Sequence, residues 1–210
     1  MKVFISQKTV LILFAILCIH QISFSQNRYN SVYENKLIFG LNVVDDSFLK
    51  THNAFNFDQQ WNVAAYPSYF GYNFLISEKI SIEGVFSMNK YNANKLVDGL
   101  FIPTERKYHA FDLNAKYNIN DLIYNFDNLS NFEPFVLVGA GITSIENASR
   151  TTINYGLGTY FWFHKYENKC CSESILNNLG VVIQTMGKSS TDQKTYGNQI
   201  QHSFGVVFRF

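Results

Sequence analysis

The sequence predicts an all-β fold, an antiparallel up-and-down transmembrane β-barrel of about eight strands, and three observations carry that prediction. From residue 37 onward, apolar residues recur with a period of two. The segments so patterned average about ten to twelve residues, longer than the roughly 5–6 common in globular sheets and close to the roughly 9–11 that cross a bilayer as a strand. The alternation is also inside-out: one face collects Phe, Leu, Val, Ile and Tyr, the other Gly, Asn, Ser, Asp, Glu, Lys and Arg. Bulky apolar side chains suit lipid, and small or polar ones suit a narrow lumen.

Before the strands comes a three-part export signal. "MKVFISQK" carries two lysines and no acid, "TVLILFAILCI" is an apolar run, and Ser23 and Ser25 supply small residues ahead of Gln26. Cleavage is expected after Ser25, leaving 1–25 as signal peptide and 26–36 as a short periplasmic segment before a barrel over 37–210. The apolar run is too short to span a membrane as a helix, and Leu17 before Cys18 argues against lipidation.

The strands then follow in order. "LIFGLNVV" sets Leu37, Phe39, Leu41 and Val43 against Gly40 and Asn42. A second strand, 62–74, is interrupted by Pro67, which cannot donate to a ladder. "ISIEGVFSMN" sets Ile80, Ile82, Phe86 and Met88 against Ser81, Glu83, Ser87 and Asn89. "HAFDLNAKY" sets Phe111, Leu113, Ala115 and Tyr117 against Asp112, Asn114 and Lys116. Strands over 134–146 and 151–163 follow, the latter with Ile153, Tyr155, Leu157 and Phe161 against Asn154, Gly156 and Gly158. Strands over 179–187 and 199–210 complete the set. Polar connections such as "GKSSTDQKTYGN" separate them.

Composition agrees. The chain is 47% hydrophobic and 17% aromatic but only 16% charged, below the roughly one quarter usual for soluble domains. Losing Lys2 and Lys8 with the signal turns the formal charge from +1 to −1, so no nucleic-acid partner is expected. Only Cys170 and Cys171 remain after cleavage, adjacent and without a second Cys pair. No metal or cofactor is expected.

"GLNVVDDSF", "AFDLNAKYNIN", "FEPFVLVGAGI", "INYGLGTYFWF" and "QHSFGVVFRF", in that order, resemble the N-terminal barrel of OmpA-like outer-membrane proteins. The resemblance implies a small barrel in the cell outer membrane, with short periplasmic turns and longer surface loops. The connections 119–133 and 164–178 are long for periplasmic turns. The sequence ends with the barrel, so no peptidoglycan tether is expected. The resemblance also implies that the terminal stripe Phe204, Val206, Phe208 and Phe210 faces lipid and is read by the barrel-assembly machinery.

Three kinds of site follow. Tyr117, Phe161, Phe163 and Phe210, with "TYFWF" and "VVFRF" closing their strands, are expected as a periplasmic aromatic girdle. Glu83, Asp112, Lys116 and Arg209 fall on the inward face, two acids and two bases, and are expected to form a lumenal ion-pair network that plugs the barrel. A lumen of about eight strands is filled by side chains, so no open pore is expected. No catalytic residues are assigned. Barrels of the lipid A deacylase type need His and Ser two residues apart, whereas His202 and Ser203 are adjacent and point to opposite faces. His52 and His164 fall in loops, and His109 near a strand start. The leading expectation is a non-enzymatic structural, envelope-integrity or adhesive protein. Its partners are outer-membrane lipid and a surface ligand at loops 45–61 and 92–105. A lipid A-modifying enzyme is the alternative, and a soluble periplasmic lipocalin-like binder the third.

Overall fold

A computed structural model describes residues 35–45, 57–77, 79–97, 100–120, 131–146, 148–163, 178–191 and 198–210. The signal segment 1–25, all but the last two residues of 26–36, and Cys170, Cys171, His52 and His164 lie outside the described residues. So do most of the 45–61 loop and the central part of the 119–133 connection.

The strands are β1 (Lys36–Asp45), β2 (Trp61–Val63), β3 (Tyr69–Leu75), β4 (Ile80–Tyr91), β5 (Leu96–Val97), β6 (Leu100–Phe101), β7 (Arg106–Asn118), β8 (Phe132–Ile145), β9 (Ala148–Trp162), β10 (Leu179–Ser190) and β11 (Asn198–Arg209). One helical turn, α1 (Phe57–Gln60), precedes β2. Each of β1, β3, β4, β7, β8, β9, β10 and β11 pairs antiparallel with the next, and β11 returns to β1 from Lys36↔Arg209 to Asp45↔Ile200. A reciprocal pair of backbone bonds between Asn35 and Phe210, 3.1 and 3.0 Å, continues that closing seam past Arg209. The sheet has no free edge around its circumference, which is how strands satisfy their backbone groups in lipid.

β2 and β3 are one stave in two pieces. β2 pairs with the far end of β1 (Val43↔Val63) and β3 with the near end (Gly40↔Tyr69). The break surrounds Pro67, and Ser68 repairs it. Its N–H donates to the Gly40 carbonyl at 2.8 Å, its carbonyl accepts from the Met88 N–H at 2.8 Å, and its hydroxyl oxygen accepts from the Asn42 N–H at 2.8 Å. Because Ser68 is fully buried, Ser68→Ala strands the Asn42 donor. It is expected to destabilise the barrel by about 1–3 kcal/mol, measured by urea unfolding in detergent. An unchanged midpoint would show that the hydroxyl is dispensable.

Two ends can now be distinguished. The terminal rim carries Asn35, Phe210 and the strand ends Leu75, Ile80, Asn118, Phe132, Trp162 and Leu179. The far rim carries the strand ends Asp45, Trp61, Tyr91, Arg106, Ile145, Ala148, Ser190 and Asn198. At the far rim β8 and β9 end on the pair Ile145↔Ala148, with Glu146 in the left-handed region at φ 54°. The sequence reading leaves 147–150 as a connection there, because Ser149, Arg150 and Thr151 hide the alternation. β10 likewise runs to Ser190, past the expected end at 187, through a stretch with no apolar residue after Met186.

The faces are inside-out. Phe39, Phe74, Phe86, Phe111, Leu113, Val138, Ile142, Leu157, Ile183 and Phe204 are exposed on the outer wall. Asn42, Asn73, Glu83, Asp112, Asn114, Asn154, Gln184, Lys188 and Gln201 are buried inside it. Among the described residues no helix is long and apolar enough to cross a membrane; the strands carry the apolar surface.

Candidate functional site

The lumen is filled in two tiers. Towards the terminal rim, Lys116 donates to Glu83 Oε1 at 2.6 Å and to the Tyr160 hydroxyl at 2.9 Å, and its ammonium lies 4.0 Å from the Phe135 ring centre. Asn73 Nδ2 donates to the same hydroxyl at 3.1 Å. Below this, Lys36 pairs with Glu133 at 2.7 Å and lies 4.3 Å from the Tyr160 ring centre, while the Arg209 guanidinium lies 4.4 Å from that of Trp162. Aromatic faces and two acids, Glu83 and Glu133, thus meet the three cations of this tier.

The second tier lies towards the far rim. Lys188 Nζ is 2.7 Å from Asp112 Oδ1 and donates to Oδ2 at 2.9 Å. Asn154 Nδ2 donates to Asp112 Oδ1 at 2.9 Å and to Asn114 Oδ1 at 3.1 Å. A relay continues upward: Gln199 Nε2 donates to the Tyr108 hydroxyl at 2.7 Å, and the Tyr91 hydroxyl donates to Gln199 Oε1 at 3.0 Å. Gly139 and Gly141 on β8 stand opposite Asn114 and Asp112. A Cβ at either would overlap those side chains, so the two glycines make room for the polar tier.

A small lid packs on the far end: β5 and β6 pair, and Val97 and Ile102 are buried in one cluster with Tyr91, Tyr108, Val44 and Ile145. It is latched where the Lys95 ammonium donates to the Trp61 carbonyl, and more distantly to that of Phe57 at 3.4 Å. The Asn92 N–H donates to Asn62 Oδ1 at 2.9 Å.

The four inward charges predicted from sequence therefore all face the lumen, but in separate places. Lys116 and Glu83 form one pair, Asp112 takes Lys188, and Arg209 lies by Trp162. Lys188, Lys36 and Glu133 escape the sequence reading, which places Asn154 on the inward face without tying it to the charges. Lys188 is detectable by extending the alternation of Gln184 and Met186 by one step. Tyr160 and Trp162 of "TYFWF" point inward, so of that motif only Phe161 and Phe163 stand with Tyr117 on the outer wall. Tyr160, Trp162, Tyr69, Tyr91 and Tyr108 also fill a lumen expected to hold small and polar side chains. Phe204 and Val206 are exposed outward; Phe208 and Phe210 are half-buried, stacked 6.1 Å apart, with Phe210 6.4 Å from Tyr72.

On the outer wall near the far rim, His202 meets residues of two neighbouring strands. Its Nδ1 is 3.0 Å from the Thr185 hydroxyl, its Nε2 is 3.8 Å from Asp45 Oδ2, and Trp61 stacks on its ring at 4.9 Å. Nucleophile, base and acid types thus adjoin. The acid, however, stands beyond hydrogen-bond reach of the ring. β10 and β11 are each paired on both edges, so their ladder N–H groups are engaged and do not form an oxyanion hole.

Closed, eight-staved, apolar outside and polar within, this is the fold of the small outer-membrane β-barrels. Among solved structures, the chain is similar to Neisserial surface protein A (10% identity, TM-score 0.52, covering 86% of this chain and 98% of that one). It is also similar to the N-terminal β-barrel domain of Pseudomonas aeruginosa OprF (10%, 0.51, 84% and 97%). The outer-membrane protein OprG of the same organism matches at 10% identity and TM-score 0.51, over 85% and 96% of the two chains. No protein-family model matches the sequence, and a search of curated proteins finds no relative. At this identity the likeness is one of fold.

Proposed function

We propose that this chain is a plugged outer-membrane barrel with a structural, envelope-integrity or adhesive role, and that it is neither a pore nor an enzyme. The carrying observation is the lumen: two buried ion pairs and stacked aromatics fill it, and Val97 and Ile102 of the β5–β6 lid pack on its far end. In this reading the terminal rim is periplasmic, with Tyr117, Phe161, Phe163 and Phe210 at the membrane interface. The outward stripe from Phe204 to Phe210 is what the assembly machinery reads. A lipocalin-like carrier needs its apolar face inside, and here that face is outside. Thr185, His202 and Asp45 act as a polar cluster at the headgroup level. Surface contacts would come from exposed lid residues such as Phe101.

The test has two parts. In an outer-membrane fraction the unboiled protein is expected to migrate differently in SDS from the boiled protein, since a closed sheet resists SDS until heated. In a planar bilayer the purified barrel is expected to show no steady conductance. Recovery as a soluble periplasmic protein would overturn the membrane reading, and ohmic conductance the plug. Altered lipid A on expression, abolished by His202→Ala, would restore the enzymatic alternative.

A further inference from the structure

On the outer wall at the far rim, β4 and β7 set two lysines directly opposite each other. Lys90 and Lys107 are cross-strand partners, and Met88 and His109 are the partners one outward step nearer the terminal rim. Like charges facing each other across a ladder are destabilising. The neighbouring outward positions on β8 and β9 at this height are Ser144 and Ser149, which hydrogen-bond each other at 3.2 Å. Among the described outward positions of these four strands at this height, the lysines stand on β4 and β7. Lys90 holds Glu105 at 3.0 and 3.1 Å, both half-exposed. Lys107 and His109 are exposed and make no ion pair or hydrogen bond through their side chains among the described residues. Glu146, also exposed, occupies the adjoining turn, where its N–H donates to the Lys107 carbonyl at 2.9 Å.

Directly below the cations the wall is apolar. Phe86 and Phe111 form the next outward pair, both exposed, with Ile82 and Leu113 beyond them. His109 stands two residues from Phe111, about 7 Å along the strand, so the polar and basic side chains begin where the apolar band ends. Lysine stems can lie along that band while their ammonium groups stay in the headgroup layer.

We infer that Lys90, Lys107 and His109 form a site for the phosphate headgroup of an anionic membrane lipid, whose acyl chains lie along Phe86, Phe111 and Leu113. Charge complementarity selects the headgroup, and the continuous apolar wall selects a lipid over a free anion. A phosphate between Lys90 and Lys107 turns their repulsion into shared attraction, in competition with Glu105. The inference rests on the outer wall being membrane-embedded, and the experiment separates the two.

The full barrel would be reconstituted into phosphatidylcholine vesicles containing a tenth part phosphatidic acid, then released into detergent. Co-purifying lipid would be measured by native mass spectrometry. Phosphatidic acid is expected to be enriched over phosphatidylcholine. Its retention should fall about fivefold for Lys90→Gln or Lys107→Gln and rise for Glu105→Gln, which frees Lys90. A barrel that fails to insert would overturn the membrane reading itself. Insertion without enrichment, or enrichment indifferent to the lysines, would overturn the lipid site alone. Displacement by millimolar inorganic phosphate would assign the lysines to a free anion and overturn the lipid assignment.

Discussion

Lys116→Met is expected to lower the stability of the folded barrel by about 3–5 kcal/mol, more than any other single substitution considered in the lumen. The ammonium is the ion-pair partner of Glu83, 2.6 Å away, and both side chains are sealed from solvent. Methionine fills the volume but leaves a carboxylate without its counter-charge. It also removes one donor to the Tyr160 hydroxyl, which keeps the donation from Asn73. The measurement is urea unfolding in a fixed detergent, followed by Trp162, which stacks on Tyr160 at 6.0 Å and reports on this tier. Changing both partners, Glu83→Leu with Lys116→Met, is expected to recover most of the loss, because an apolar pair of similar volume carries no desolvation cost. A single variant as stable as wild type would remove the structural role of the pair. A double variant no better than the single would place the loss in packing instead.

Much of the fold was legible because the alternation has one cause everywhere: lipid outside and a narrow polar lumen inside. "HAFDLNAKY" shows this best, with Phe111, Leu113, Ala115 and Tyr117 facing one way and Asp112, Asn114 and Lys116 the other. Legibility failed where another requirement interrupts the period. At Pro67 the ladder loses a donor and Ser68 supplies a side-chain substitute, which alternation does not encode. At 187–190 the strand is polar on both faces because it has risen past the apolar band. Lys188, the partner of Asp112, lies in that polar stretch, beyond the expected strand end at 187. The aromatics of "TYFWF" were ambiguous because a lumen and a membrane interface both accept tyrosine and tryptophan. Position along the strand decides: Tyr160 and Trp162 share the parity of Asn154, Phe161 and Phe163 that of Ile153. The pairing of the inward charges was beyond the sequence, because it depends on which strands face each other across the lumen.

Lys188→Met tests that pairing. Taken alone it is expected to cost slightly less than Lys116→Met, within the same range of about 3–5 kcal/mol. Asp112 keeps the donation from Asn154 at 2.9 Å, and Tyr108 keeps that from Gln199 at 2.7 Å. The more decisive quantity is the combination. Lys116 touches Glu83 and Tyr160, Lys188 touches Asp112 and Tyr108, and the two lysines share no hydrogen-bonding partner. Independent sites add to within about 0.3–0.5 kcal/mol, whereas members of one network couple by about 0.5–3. The double variant Lys116→Met, Lys188→Met is therefore expected to lose the sum of the two single losses. If a combined loss would unfold the barrel outright, the pair can be measured on Lys116→Gln and Lys188→Gln, which retain a donor and cost less each. Coupling above about 1 kcal/mol would mean that Glu83, Asp112 and the two lysines act as one unit, and that the two tiers, distinct in geometry, are joined in energy.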